Sequence, residues 1–328
     1  MRERPPDLDE RDLAPVLEQW GISAVVLDHL PVGFGDHHWS ATDSAGRRWF
    51  VKVADLTDKR HCGPDPAAAA TGLRRAMDTA ADLTGLDFVV APLRDREGRT
   101  TRPLGTRWAV SVFPWLEGTD RATFHWHRTA TERAEVIGIL ARLHRTDPPA
   151  ATPDQPMDLT RRATLDRALA PDPVPPAVAG PYTVLAWTLV ADHRPVLRRR
   201  LVEFGEIAST AADRDRWVIT HGEPHPGNLF RGPSGYRLID WDTVGLAVPE
   251  RDLSGVTTEP AELARYPELT GREVDPRLIR GYRLRWDLEE IGIYLDQFAR
   301  PHRATEDTEL AWTGLKESVA RLAGGGEG

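Results

Sequence analysis

The run Trp217-Val-Ile-Thr-His221-Gly-Glu-Pro-His-Pro-Gly-Asn228 is followed closely by Leu238-Ile-Asp-Trp-Asp242, and together they decide how the chain is read. Residues 217–220 favour a short strand that delivers the chain to a loop at His221. That loop carries an acid at Glu223 and an amide at Asn228. Residues 229–230 and 236–239 then pair around a turn at 232–235, which returns Asp240 towards the loop. The outcome is one carboxylate near a reacting hydroxyl, and a carbonyl oxygen with a second carboxylate able to hold a hard cation. Mg²⁺ prefers such oxygen ligands. Phosphoryl transfer asks for positioning and charge neutralisation more than for covalent chemistry. His221 and His225 have the spacing of a helical zinc pair, but Pro224, Pro226 and Gly227 forbid a regular helix, so both are read as loop braces. Asp242 is open between a salt-bridged or loop-capping role and support of the metal ligands from behind.

This block resembles the aminoglycoside phosphotransferase and choline kinase-like family, whose signature is His-Gly-Asp-x-x-x-x-Asn followed by Ile-Asp-Trp or Ile-Asp-Phe. By eye the whole run is similar to actinobacterial antibiotic kinases of the spectinomycin-kinase-like branch. The resemblance implies an α+β, two-lobed protein-kinase-like fold. Residues 1–115 would form a nucleotide-binding lobe with a small antiparallel sheet, and residues 116–328 a larger helical lobe with the catalytic loop and acceptor site. It also implies ATP and Mg²⁺ as cofactors, Asn228 and Asp240 as metal ligands, and position 223 as the catalytic base. Arg251-Asp252-Leu253 resembles the family segment in which an Asp braces the loop. One departure stands out: position 223 is Glu where the family has Asp. One extra methylene displaces a carboxylate by about a bond length, and a shift of ~1 Å can cost ~10²-fold. Two readings follow, an active enzyme with an adjusted backbone or a nucleotide-binding pseudokinase.

Upstream, Trp49-Phe-Val-Lys-Val53 reads as a strand, and Lys52 resembles the third-strand lysine that holds nucleotide phosphates. Val25 to Trp49 reads as two strands around a glycine turn, in which Gly33 and Gly35 would let backbone amides approach phosphates. There is no Walker-type loop. Residues 65–83 form an alanine-rich helix, and residues 88–92 and 108–113 two more strands. In that helix Asp78, with Asp82 as the alternative, is the acid placed to pair with Lys52. Val112 to Gly118 resembles the hinge between lobes, with the backbone near Phe113 and Trp115 meeting adenine.

Residues 131–145 form an amphipathic helix. Proline-rich stretches at 147–156 and 171–181 are loops, and 182–208 is helical with an interruption at Pro195. Residues 276–298 and 308–322 read as closing helices. On the first, Trp286, Asp287, Glu290 and Tyr294 form an aromatic-acid stripe suited to a polyhydroxylated or cationic acceptor, or to ordinary helix packing.

The bulk composition narrows the function classes. The chain has 328 residues, 40% hydrophobic and 28% charged, with a net charge of −8. That balance argues against general nucleic-acid binding. Its single cysteine, Cys62, forms no intrachain disulfide, and no signal or membrane-length apolar run is present, so a cytoplasmic location is expected. Lysine is rare: Lys52, Lys59 and Lys316 are the whole set. The expectation is an ATP-dependent kinase of a small-molecule hydroxyl, most simply an aminoglycoside, aminocyclitol or nucleoside-type antibiotic. The alternatives are a metabolic kinase of a sugar, amino alcohol or nucleoside, and the pseudokinase. The expected partner is a small-molecule acceptor, with neither nucleic acid nor membrane.

Overall fold

The computed structural model describes residues 1–5, 7–117, 129–174, 176–232 and 235–324. Gly118 of the hinge run, Pro233 and Ser234 of the hairpin turn, and the tail 325–328 lie outside the described residues. In chain order the elements are α1 (Leu13–Leu17), β1 (Ala24–Leu30), β2 (His37–Asp43), β3 (Arg48–Asp55), α2 (Pro66–Asp82), β4 (Arg102–Leu104), β5 (Trp108–Pro114) and α3 (Ala130–His144). There follow α4 (Arg162–Ala168), α5 (Thr183–Asp192), α6 (Arg194–Ala208), β6 (Val218–Thr220), β7 (Leu229–Gly232), β8 (Gly235–Leu238) and β9 (Gly245–Ala247). Five helices close the chain: α7 (Glu250–Leu253), α8 (Pro260–Leu263), α9 (Arg265–Thr270), α10 (Pro276–Phe298) and α11 (Glu306–Ala323). No described helix is long and apolar enough to cross a membrane.

Two compact units emerge, residues 1–155 with 216–274, and residues 156–215 with 275–328. The first holds a five-stranded antiparallel sheet in the order β1-β2-β3-β5-β4. Its central strand β3 is buried from Val51 onwards, because Val51 and Val53 pack with Trp39, Val110 and Val112 on one face. The opposite face receives α2. Leu73 and Met77 of that helix pack on Ala54, Ala109 and Phe113. Asp65 starts α2 by accepting from the Ala67 and Ala68 amides, and Pro66 follows in the first turn, where no amide donor is missed. Thus the lysine strand and the helix beside it are fixed by one apolar layer.

One strand expectation needs correction, and one strand was not expected. Residues 88–92 are not a strand of this sheet. The Leu238 amide donates to Phe88 O at 2.7 Å and the Val90 amide to Leu238 O at 3.0 Å, so the segment makes a single parallel bridge to the end of β8. The fifth strand is instead β4, whose Pro103 is tolerated because β4 is at the sheet edge. The remainder of this unit frames the loop that begins at His221: β6 pairs with β9, β7 pairs with β8, and α3 packs on β6 and α9.

The second unit is helical. α10 packs against α11, α6, α4 and α5. Gly281 and Gly292 allow this, since a Cβ there would collide with Ile207 and Met157 or with Arg161. Pro195 lies in the first turn of α6, which accounts for the break between α5 and α6.

Replacing Leu73, 2% exposed at the α2–sheet contact, with Ala should lower the unfolding free energy by about 2–5 kcal/mol, measured by chemical denaturation.

Candidate active site

The loop after β6 is held by one buried carboxylate. Asp252, on α7, accepts from the His221 amide at 2.8 Å and the Gly222 amide at 2.6 Å. It also takes a bond from His144 Nε2 at 3.0 Å, and His144 Nδ1 meets the Tyr266 hydroxyl at 2.9 Å. Burial alone would raise the Asp252 pKa, but the bond from His144 together with the charges around it holds it below the ordinary value. Gly222 has φ of +100°, and a Cβ there would strike the Arg251 guanidinium. Arg251 in turn donates to Thr220 Oγ1 at 2.7 Å and Thr243 O at 2.8 Å.

Both loop histidines brace the backbone. His221 Nε2 lies 3.0 Å from Ile239 O and its Nδ1 accepts from the Glu223 amide at 3.2 Å, a pattern that needs the neutral ring. Burial lowers the His221 pKa, which agrees with that form. His225 Nδ1 accepts from the Gly227 amide at 3.1 Å. Asn228 donates its Nδ2 to Glu223 O at 3.0 Å, which aims Oδ1 elsewhere as an available oxygen ligand. The Ile239 amide donates to Asn228 O at 3.0 Å, tying the loop to the chain that carries Asp240.

Asp240 has φ of +67°, the sole positive φ outside glycine among the described residues. Asp tolerates this conformation better than most residues, and such strained positions cluster at functional sites. The neighbouring Trp241 is fully buried and donates Nε1 to Leu238 O at 3.0 Å, anchoring the turn. Asp240 Oδ1 then accepts from Lys52 Nζ at 2.5 Å, while 39% of its side chain stays exposed.

Lys52 is buried in β3 and contacts two more carboxylates, Asp36 Oδ2 at 2.8 Å and Asp242 Oδ2 at 3.2 Å. A second lysine joins them. Lys59 Nζ donates to Asp36 Oδ2 at 2.7 Å and also to Asp242 Oδ2. Burial opposes charge on both lysines, but the surrounding carboxylates outweigh it and raise both pKa values. Burial alone would raise the Asp36 pKa; Lys52 and Lys59 pull it down to about 2. Partial burial, with the Asp242 and Asp240 charges, raises the Glu223 pKa. Ligand oxygens of Asp36, Asp240 and Asp242 lie within 4.8 Å of one another. Asp36 Oδ1 is buried without a hydrogen-bond partner. With Asn228 Oδ1 on the same loop as Glu223, these oxygens suit a hard divalent cation. A cavity of about 280 Å³ adjoins Asp242 and is walled by His61, Cys62, Arg75, Asp154 and Gln155 among others.

Several expected site residues fall elsewhere. Asp78 accepts from Thr100 Oγ1 at 2.9 Å and pairs with Arg94 at 3.2 Å; Asp82 pairs with Arg94 at 2.7 Å. Neither is a partner of Lys52, because the sheet-facing side of α2 is apolar. The carboxylates that orient Lys52 come from the glycine turn and from the residues just after the β7–β8 hairpin. Gly33 and Gly35 do take positive φ, +73° and +91°, in that turn before Asp36. Phe113 is buried against Phe50, and Trp115 lies under the Arg48 guanidinium at 3.7 Å. In the helical unit, Asp287 is bound by Arg321 at 2.8 Å, and the Tyr294 hydroxyl donates to Glu290 at 2.5 Å while lying against Gly314. Asp287 and Tyr294 therefore serve α10–α11 packing, which corrects their reading as an acceptor-facing stripe. Trp286 and Glu290 are half-buried on the same helix.

A family model described as the phosphotransferase enzyme family matches residues 28–294. No curated protein matches the sequence. Among solved structures, a spectinomycin phosphotransferase in complex with ADP and spectinomycin is similar over 97% of this chain and 98% of its own, at 17% identity and a TM-score of 0.69. An amicoumacin kinase with AMP-PNP, Ca²⁺ and its antibiotic covers 96% and 94%, at 12% identity and 0.55. Choline kinase from Streptococcus pneumoniae covers 95% and 98%, at 14% identity and 0.55. At these identities the likeness establishes the kinase-like fold.

Removing the loop brace by Asp252→Ala should cost about 3–5 kcal/mol, because three donors lose their one shared acceptor in a dry site. The sign with pH follows from the depressed pKa. The stabilisation is full above the unfolded carboxylate value and is lost as pH falls through the lower folded value. Denaturation from pH 7 to pH 2 should show wild type losing stability at the acid end more steeply than Asp252→Asn.

Proposed function

We propose a specific reaction for this chain, which belongs to the phosphotransferase enzyme family: transfer of the γ-phosphoryl group of ATP to a hydroxyl of a small molecule. The observation that carries it is the convergence of Lys52, Asp240, Asp242 and the Glu223–Asn228 loop, built from segments far apart in sequence. In this reading residues 1–115 supply the nucleotide-binding half, and residues 116–328 the catalytic loop and acceptor side.

Asp240 and Asn228 would hold Mg²⁺, with Asp242 close behind them. When bound, the ion would neutralise charge on the phosphates. Lys52, already surrounded by anionic oxygens, exchanges a carboxylate for phosphate oxygens without losing charge-assisted bonds. The glycine turn brings backbone amides to the phosphates. The backbone beyond Phe113, towards Trp115, meets adenine.

Glu223 would orient the acceptor hydroxyl and take its proton late. A largely dissociative transition state asks little of that base, so the longer side chain is compatible with activity. The acceptor class favoured is a polyhydroxylated antibiotic of the aminoglycoside, aminocyclitol or nucleoside kind. The cavity beside Asp242 supports this through the hydrogen-bonding groups of Asp154, Gln155 and His61. A metabolic sugar or amino alcohol would use the same chemistry.

Turnover of MgATP against a panel of aminoglycosides, aminocyclitols, nucleoside antibiotics and common metabolites tests the proposal. Glu223→Gln should lose about 10²–10⁴-fold in transfer while keeping ATP affinity. Asp240→Asn should abolish transfer, and Lys52→Ala should cut it without unfolding the protein. Glu223→Gln matching wild type would remove Glu223 from the base role. A wild type that binds ATP and phosphorylates no acceptor would make the chain a pseudokinase.

A further inference from the structure

Lys59 lies outside every motif singled out in the sequence. It sits between β3 and α2, is 8% exposed, and is one of three lysines in the chain. Burying an ammonium is costly unless it is paired. Its partners are the two carboxylates it shares with Lys52, down to the same atoms, Asp36 Oδ2 and Asp242 Oδ2. One anionic oxygen, Asp36 Oδ2, is therefore held between two ammonium groups at 2.7 and 2.8 Å.

This oxygen arrives on the glycine turn, the segment whose amides would cover nucleotide phosphates. The other oxygen of the same carboxylate, Oδ1, is buried without a hydrogen-bond partner. A buried acceptor left unsatisfied is unfavourable. Asp36 thus fills a two-lysine anion seat but satisfies only half of its own bonding capacity. A phosphate oxygen could occupy the same seat, and a polyphosphate offers oxygens to both ammonium groups.

Charge points the same way. Three carboxylates face two ammonium groups, and α2 contributes no acid to the cluster. If one carboxylate leaves with the glycine turn, Lys52 and Lys59 both become available to an incoming anion. With Asp36 gone, Asp240 and Asp242 would balance Lys52 and Lys59 one for one, and an incoming phosphate would replace the charge and the bonds that Asp36 Oδ2 had supplied to both ammonium groups.

Resting on the phosphotransferase reading, we propose that Lys59 is a second phosphate-binding lysine: it and Lys52 jointly hold the nucleotide's phosphate chain at the position now filled by Asp36 Oδ2.

The test is calorimetric binding of adenosine, AMP, ADP and ATP, with magnesium, to wild type, Lys59→Met, Asp36→Asn and the Asp36→Asn/Lys59→Met pair. A phosphate contact predicts that Lys59→Met leaves adenosine within about twofold and weakens ATP by about tenfold or more. The loss of ATP affinity should persist when Lys59→Met is measured in the Asp36→Asn background, where one carboxylate charge has left with the ammonium. Unchanged ATP affinity overturns the proposal. So does an equal loss for adenosine and ATP, or a loss that vanishes in the Asp36→Asn background, since either makes Lys59 structural or a counterion. If Lys59→Met alone does not fold, the double variant against Asp36→Asn decides the matter. Wild type failing to bind any of the four ligands refutes the nucleotide reading itself, a result distinct from all of these.

Discussion

Lys52 Nζ reaches Asp240 at 2.5 Å, Asp36 at 2.8 Å and Asp242 at 3.2 Å, and much of the structure serves to hold these groups in place. Ion pairs this buried are poor investments in stability alone, since desolvation offsets much of their attraction. They persist where a site needs charge placed in advance. The sheet buries β3 so that Lys52 is fixed. Trp241 anchors the turn that forces Asp240 to a positive φ. The glycine turn brings Asp36 in from the other side. Each device carries a local cost, and each cost falls at the same few atoms.

A second constraint keeps the loop opposite this cluster in register. Asp252 gathers the His221 and Gly222 amides and the His144 ring, so β6, α3 and α7 are joined through one side chain. The neutral His221 ring then links the loop to Ile239, one residue before Asp240. The loop and the β7–β8 hairpin are in this way coupled by hydrogen bonds, one from the His221 ring and one from the Ile239 amide to Asn228 O. Such coupling is what positioning a nucleophile within about 1 Å demands.

The sequence made some parts of this site legible and others not. His221 to Asn228 and Asp240 were readable because the spacing of an acid, an amide and a hairpin acid is a local pattern. Lys52 was readable from its strand. Its partners were not: α2 offers Asp78 at a plausible spacing, whereas Asp36 reaches Lys52 from the start of the neighbouring strand and Asp242 from a segment distant in sequence. Two signals could have found them. Asp36 directly follows Gly33-Phe-Gly35, and Lys59 is conspicuous in a chain nearly devoid of lysine. In the fold, β4 escaped because Arg102-Pro-Leu104 is short and contains proline, a combination that only an edge position permits. The 88–92 run has strand composition yet spends it on one bridge to Leu238. On α10, the aromatic and acidic residues look alike whether they face a ligand or another helix, and Arg321 and Gly314 decide for the helix.

The central claim is that this cluster of carboxylates and lysines receives a nucleotide's phosphates together with a divalent cation. Its most direct test is the affinity of ATP with and without magnesium, measured by calorimetry on wild type and on Asp240→Asn. The account predicts that magnesium tightens ATP binding to wild type and that this gain disappears in Asp240→Asn. An equal magnesium-dependent gain in both proteins would contradict it.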